Sequence, residues 1–124
     1  MKIARVEDVQ AWQKARQLIT EVYKATIENE RFSKDFGLKE QIRRASVSIM
    51  SNIAEGFSRQ TNKEFIQFLY VARGSASEVQ SQLYVALDLK YISEIEFKRV
   101  YELSEEVIKL ISGFIRYLKR KTNS

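Results

Sequence analysis

The 124-residue chain has no histidine, no cysteine and no proline, and only four glycines. Without cysteine there can be no disulfide, no thiolate zinc site, no iron–sulfur cluster and no cysteine nucleophile. Without histidine the chain lacks the commonest general base and the commonest metal ligand. Together these absences argue against catalysis, so no enzyme activity, cofactor or metal site is expected. With no proline, and glycine only at Gly37, Gly56, Gly74 and Gly113, few points exist at which a helix must break. A membrane span needs about 18 apolar residues or more. The longest uncharged stretch, Ala45 to Ala54, has ten, including three serines and an asparagine. The first eight residues mix charges and do not read as a signal peptide. The expectation is one cytoplasmic domain over residues 1–124.

Four long segments recur at helical spacing. The first, about 7–28, places Trp12, Ala15, Leu18, Ile19, Val22, Tyr23 and Thr26 on one face. The second, about 38–57, repeats Leu38, Ile42, Ala45, Ile49 and Ile53. The third, about 62–89, opens on a capping box of Thr61 and Glu64 and carries Phe65, Phe68, Leu69, Ala72, Ala76, Val79, Leu83, Ala86 and Leu87. The fourth, about 94–120, opens on Ser93 with Glu96 and carries Phe97, Val100, Tyr101, Val107, Ile108, Ile111, Phe114, Ile115 and Leu118. Breakers gather at Asn29–Gly37, Phe57–Asn62 and Lys90–Ser93. Short links between long helices predict an all-α, antiparallel up-down four-helix bundle.

The apolar arcs are wider than a bundle core requires. Val47, Met50, Ala54 and Phe57 lie opposite the main stripe of the second segment, and Leu103 and Leu110 lie outside that of the fourth. These six residues form a candidate interface with a second copy of the chain.

The net charge is +5, from 21 Lys and Arg against 16 Asp and Glu. Residues 1–106 hold 16 of each and sum to zero, so the excess lies in residues 107–124, as Lys109, Arg116, Lys119, Arg120 and Lys121. A basic end suits nucleic acid or another anionic surface; it equally complements a helix dipole. Tyr117 sits among these cations, as a stacking contact requires. The leading candidates for nucleic-acid binding are Arg116, Lys119, Arg120 and Lys121, followed by Arg43, Arg44 and Arg59.

Other constellations carry less. Arg44, Ser48, Ser51 and Glu55 share one side of the second segment, either as a polar docking surface or as an ordinary solvated face. Arg43 points toward the Val47 and Met50 side and must pair or snorkel; it would meet a carboxylate of another subunit or reach water at a bundle end. Glu102, Glu105 and Glu106 read as surface ion pairs with Lys98 and Lys109 rather than as a metal site. Gly74 with its small neighbours reads as a place where another helix comes close.

Several strings resemble one family. Phe36-Gly37-Leu38, Gln41-Ile42-Arg43-Arg44-Ala45, Ser48-Ile49, Asn52-Ile53-Ala54-Glu55-Gly56 and Arg59, followed by Glu64-Phe65, Phe68-Leu69, Gly74-Ser75, Glu78 and Tyr91-Ile92, resemble the four-helix-bundle family of 23S rRNA intervening-sequence proteins. The resemblance implies a four-helix bundle that assembles as a ring-shaped homopentamer. Retroelement accessory proteins, distantly similar, link a basic surface to nucleic acid. Met50 stands where many members have proline, which should leave the second helix straighter. The expected function is a non-enzymatic, homo-oligomeric scaffold binding RNA or DNA with low sequence specificity. The alternative is a protein–protein interaction module or accessory subunit.

Overall fold

A computed structural model describes residues 3–123. A 3₁₀ turn, Val6–Asp8, leads into α1 (Gln10–Glu28), α2 (Glu30–Lys34), α3 (Phe36–Phe57), α4 (Asn62–Asp88) and α5 (Glu94–Asn123). The four long helices run antiparallel in sequence order, with α1 completing the bundle between α3 and α5. No strand occurs among the described residues, and no helix among them is long and apolar enough to cross a membrane.

The helix starts follow from local chemistry. Thr61 Oγ1 accepts from the Glu64 amide at 3.1 Å, and its hydroxyl donates to Glu64 Oε1 at 3.1 Å. Ser93 Oγ accepts from the Glu96 amide at 3.1 Å. Glu96 does not complete its box. Its carboxylate instead accepts from Asn29 Nδ2 at 3.1 Å, tying the start of α5 to the end of α1. Asp35, unnoticed in the sequence, caps α3 by accepting from the Leu38 amide at 3.1 Å, so that helix begins at Phe36. The breaker zone before it contains α2, which forms because Phe32 has a place to go: it is fully buried, with its ring 5.6 Å from Tyr91.

α4 ends by a different device. Lys90 adopts φ 61°. Its amide donates to Leu87 O at 2.9 Å, and the Tyr91 amide donates to Ala86 O at 2.8 Å. This is a Schellman ending in which lysine occupies the place usually held by glycine. The turn throws Tyr91 back across the bundle end, where its hydroxyl donates to Asp35 Oδ2 at 2.9 Å. That bond holds the Tyr91 phenol above its ordinary pKa.

The core consists of the expected stripes: Leu18 and Val22, Ile42, Ile49 and Ile53, Leu69, Val79 and Leu83, and Val100, Val107 and Ile111 are all shut off from solvent. α3 and α4 approach closely at Gly56, where a Cβ would lie 2.7 Å from Phe65 Cδ1 and 2.8 Å from Phe68 Cβ. Only glycine fits that crossing. Ser48 faces inward at the same pair of helices, its hydroxyl 2.9 Å from that of Ser75, and also accepts from Asn52 Nδ2 at 3.0 Å. The polar side of α3 is thus partly absorbed by packing against α4.

Other details depart from the sequence reading. The Lys98–Glu102 and Glu105–Lys109 pairs do not form among the described residues. Glu106 pairs with Lys14 of α1 at 3.1 Å, and Glu105 accepts from Gln80 of α4 at 3.2 Å. The pairing crosses between helices because the neighbouring helix offers a nearer partner. Among the described residues no helix lies against Gly74, where an added Cβ would meet nothing within 4 Å.

Candidate nucleic-acid interface

The candidate cations separate into two groups. Arg43 and Arg44 lie in the half of the bundle where α1 ends and α3 begins. Arg43 Nε and Nη2 donate to the buried Thr26 Oγ1 at 2.9 and 2.6 Å, and its guanidinium stacks 4.3 Å from the Tyr23 ring centre. It neither meets a carboxylate among the described residues nor reaches out at a bundle end. Arg44 pairs with Glu40 one turn away.

Arg59 lies at the opposite end, with the last turns of α5. The loop after α3, the first turn of α4 and the end of α5 enclose a hollow of about 400 Å³ lined by Arg59, Thr61, Phe65, Phe114, Tyr117 and Lys121. Its floor is aromatic: Phe65 packs edge-on against Phe57 at 6.2 Å and Phe114 at 5.1 Å. The α3–α4 loop must turn sharply where Gly56 lets the helices close, and this carries Arg59 over the Phe68 ring at 4.8 Å while it pairs with Glu55 at 3.0 Å.

The cations of α5 meet further aromatic rings. Lys121 lies 5.6 Å from the Tyr117 ring and Lys119 lies 5.2 Å from Tyr70 of α4. Arg73 covers the same Tyr70 ring at 4.9 Å while Nη1 donates to Ser112 Oγ at 3.2 Å. Arg116 folds back along α5 so that Nη2 comes within 3.7 Å of the place a Cβ on Gly113 would take. Arg120 is exposed. Tyr70 and Arg73 escaped the sequence reading. They stand one turn apart on α4, and only the packing of α5 beside α4 brings Lys119 to them. The signal available in the sequence was the i, i+3 aromatic–arginine spacing.

This end combines cations with aromatic rings, and no group of three or more acidic side chains among the described residues could hold a metal ion.

The candidate interface residues are spread around the bundle. Val47 is 39 % exposed. Met50, Phe57, Leu103 and Leu110 are half-buried against the chain's own core, as is Ala54 on its side of α3. Larger exposed apolar residues stand elsewhere: Ile95 at 81 %, Phe36 at 71 % and Ile27 at 64 %.

The model of the 23S rRNA-intervening sequence protein family matches residues 7–113. The basic residues from Arg116 onward lie beyond that match. No curated protein matches the chain. A crystal structure at 1.70 Å of a protein of unknown function from the S23 ribosomal protein family of Bacteroides thetaiotaomicron VPI-5482 superposes with a TM-score of 0.77 and 28 % identity, covering 85 % of this chain and 97 % of that one. With the family model covering α1 to α4 and the first two-thirds of α5, this chain belongs to the 23S rRNA-intervening sequence protein family.

Proposed function

We propose that the protein is a non-enzymatic, homo-oligomeric helical scaffold that binds RNA or DNA with low sequence specificity through the basic end of its bundle. The observation that carries this reading is the gathering of Arg59, Arg73, Lys119 and Lys121 against Phe68, Tyr70 and Tyr117 at one end. Cations neutralise phosphates and aromatic rings stack on bases, and the combination tolerates any sequence. No groove-reading helix or recognition motif accompanies it, so positioning by the backbone dominates. The pentameric ring implied by the resemblance would present this end five times and strengthen binding through avidity.

Fluorescence anisotropy with a generic single-stranded RNA and a generic duplex DNA, titrated across salt, tests the reading. Binding should weaken with salt by about 0.7–0.9 log units in K per log unit of salt for each phosphate contacted. A variant with Arg116, Lys119, Arg120 and Lys121 all changed to Ala should bind more weakly and with a shallower slope. An unchanged affinity and slope would remove the α5 cations as the binding surface.

A further inference from the structure

The outward side of α4 is left uncovered by the other described residues. Val71, Gly74, Glu78, Ser81 and Val85 follow one another at steps of three and four and line up opposite the core face. All are exposed, Val71 at 53 % and Val85 at 44 %. Gly74 weakens a helix interior, and no neighbour in the chain requires it, since a Cβ there would stand in open space. Between Phe65 and Leu87 the helix carries only two charges, Arg73 and Glu78. Arg73 is held at Ser112 and Tyr70. Glu78 has no cationic partner among the described residues.

The face is therefore a shallow trough with valines toward its ends and one carboxylate near its middle. It is a poor match for itself. Antiparallel pairing about its centre would bring Glu78 against the same glutamate of a second copy, and like charges repel. It fits a face that is apolar and cationic. The chain has one: the cleft of about 490 Å³ beside α1 and α3, lined by Tyr23, Phe36, Lys39, Arg43, Arg44 and Val47. Phe36 is 71 % exposed there. Against Lys39, Arg43 and Arg44 stands one acid, Glu40, already engaged by Arg44. Arg43 is the fixed point. Its two bonds to Thr26 and its stacking on Tyr23 leave it immobilised without a carboxylate, so pairing would cost it little further side-chain freedom.

We propose that the outward face of α4 in one copy docks against the α1/α3 cleft of the next, with Glu78 meeting Arg43. The inference rests on the self-association in the proposed function and specifies its surfaces. Because two different faces meet, the contact is heterologous, and repetition gives a closed ring or an open array rather than a two-fold dimer. Gly74 then permits the close approach that nothing in the isolated chain makes.

Light scattering after size exclusion, over a range of protein concentrations, tests it with four variants. Gly74→Leu and Glu78→Arg alter exposed positions and should keep the circular-dichroism spectrum of the wild type, yet raise the dissociation constant: Glu78→Arg at least about thirtyfold, the effect expected of losing one partner from a buried charge pair, and Gly74→Leu about tenfold or more by overpacking the contact. Arg43→Glu should do the same, and the double swap Arg43→Glu with Glu78→Arg should restore assembly. A wild-type chain that is monomeric throughout overturns both self-association and this contact. An oligomer that is indifferent to Gly74→Leu and Glu78→Arg overturns this contact alone.

Discussion

Gly56→Ala is the sharpest test of how the bundle closes. An added methyl group would stand 2.7 Å from Phe65 Cδ1 and 2.8 Å from Phe68 Cβ, short by 0.7 and 0.6 Å of the 3.4 Å at which ordinary contact begins. Phe68 Cβ is fixed to the α4 backbone, so it retreats only if α4 moves. The Phe65 ring is clamped between Phe57 and Phe114. Overpacking of this kind costs about 1–3 kcal/mol, and the rigidity of both neighbours places the cost at the upper end. Alanine gains at most about 1 kcal/mol over glycine, and less at Gly56, which is next to last in α3, so the net loss is at least about 2 kcal/mol. For a chain of this size that lowers the melting temperature by roughly 8 °C. Urea unfolding followed by circular dichroism, at concentrations where the midpoint does not vary with protein, measures the difference. Gly74→Ala is the control: with nothing within 4 Å, it should gain about 0.5–1 kcal/mol. A Gly56→Ala protein as stable as the wild type would refute the claim that the helix crossing requires glycine.

Two further predictions concern the other end of the bundle. Lys90 holds φ 61°, which costs a residue with a side chain about 1 kcal/mol relative to glycine; Lys90→Gly should raise the urea midpoint without changing the slope, and a lower midpoint would contradict the strain. Tyr91 keeps its proton more firmly when folded because Asp35 accepts its hydrogen bond. Its contribution is therefore complete below the ordinary tyrosine pKa of 10.0 and fades as pH rises from there through the raised folded value. Melting temperatures taken from pH 8 to 11 should fall less steeply above pH 10 in Tyr91→Phe than in the wild type, with Tyr101, raised chiefly by burial, leaving a residual slope. Identical slopes would show that the bond adds nothing.

Much of this architecture is legible in the sequence because helical periodicity is a local property. The stripes from Leu18 to Leu118 reach the core as their spacing requires, and Thr61 and Ser93 cap the helices they precede. What escapes is decided by tertiary neighbours. Asp35 looks like a loop residue until Tyr91 arrives from the far end of α4, and Phe32 looks like part of a breaker run until that same end covers it. Glu96 fits a capping box in the sequence, yet Asn29 competes successfully for its carboxylate. The candidate site was legible in part: charge counting located the cations of α5, but not Tyr70 and Arg73 on a different helix. It also grouped Arg43 and Arg44 with Arg59, although α3 carries them toward opposite ends of the molecule.

That separation bears on how the two proposals combine. A cation used to join copies is desolvated and paired, and is lost to phosphate; a cation left at a bundle end remains free to release counterions. Arg43 is immobilised in a cleft beside exposed Phe36 and Val47, which suits joining. Lys119 and Arg120 are exposed on the last turns of α5, which suits binding. In a closed ring built on the proposed contact, cyclic symmetry would place equivalent ends at the same height along the axis, and every added copy would multiply the cationic surface there. The salt slope of nucleic-acid binding should then fall when assembly is broken by Gly74→Leu, which changes no charge. A Gly74→Leu monomer with the full wild-type slope would show that single copies bind alone.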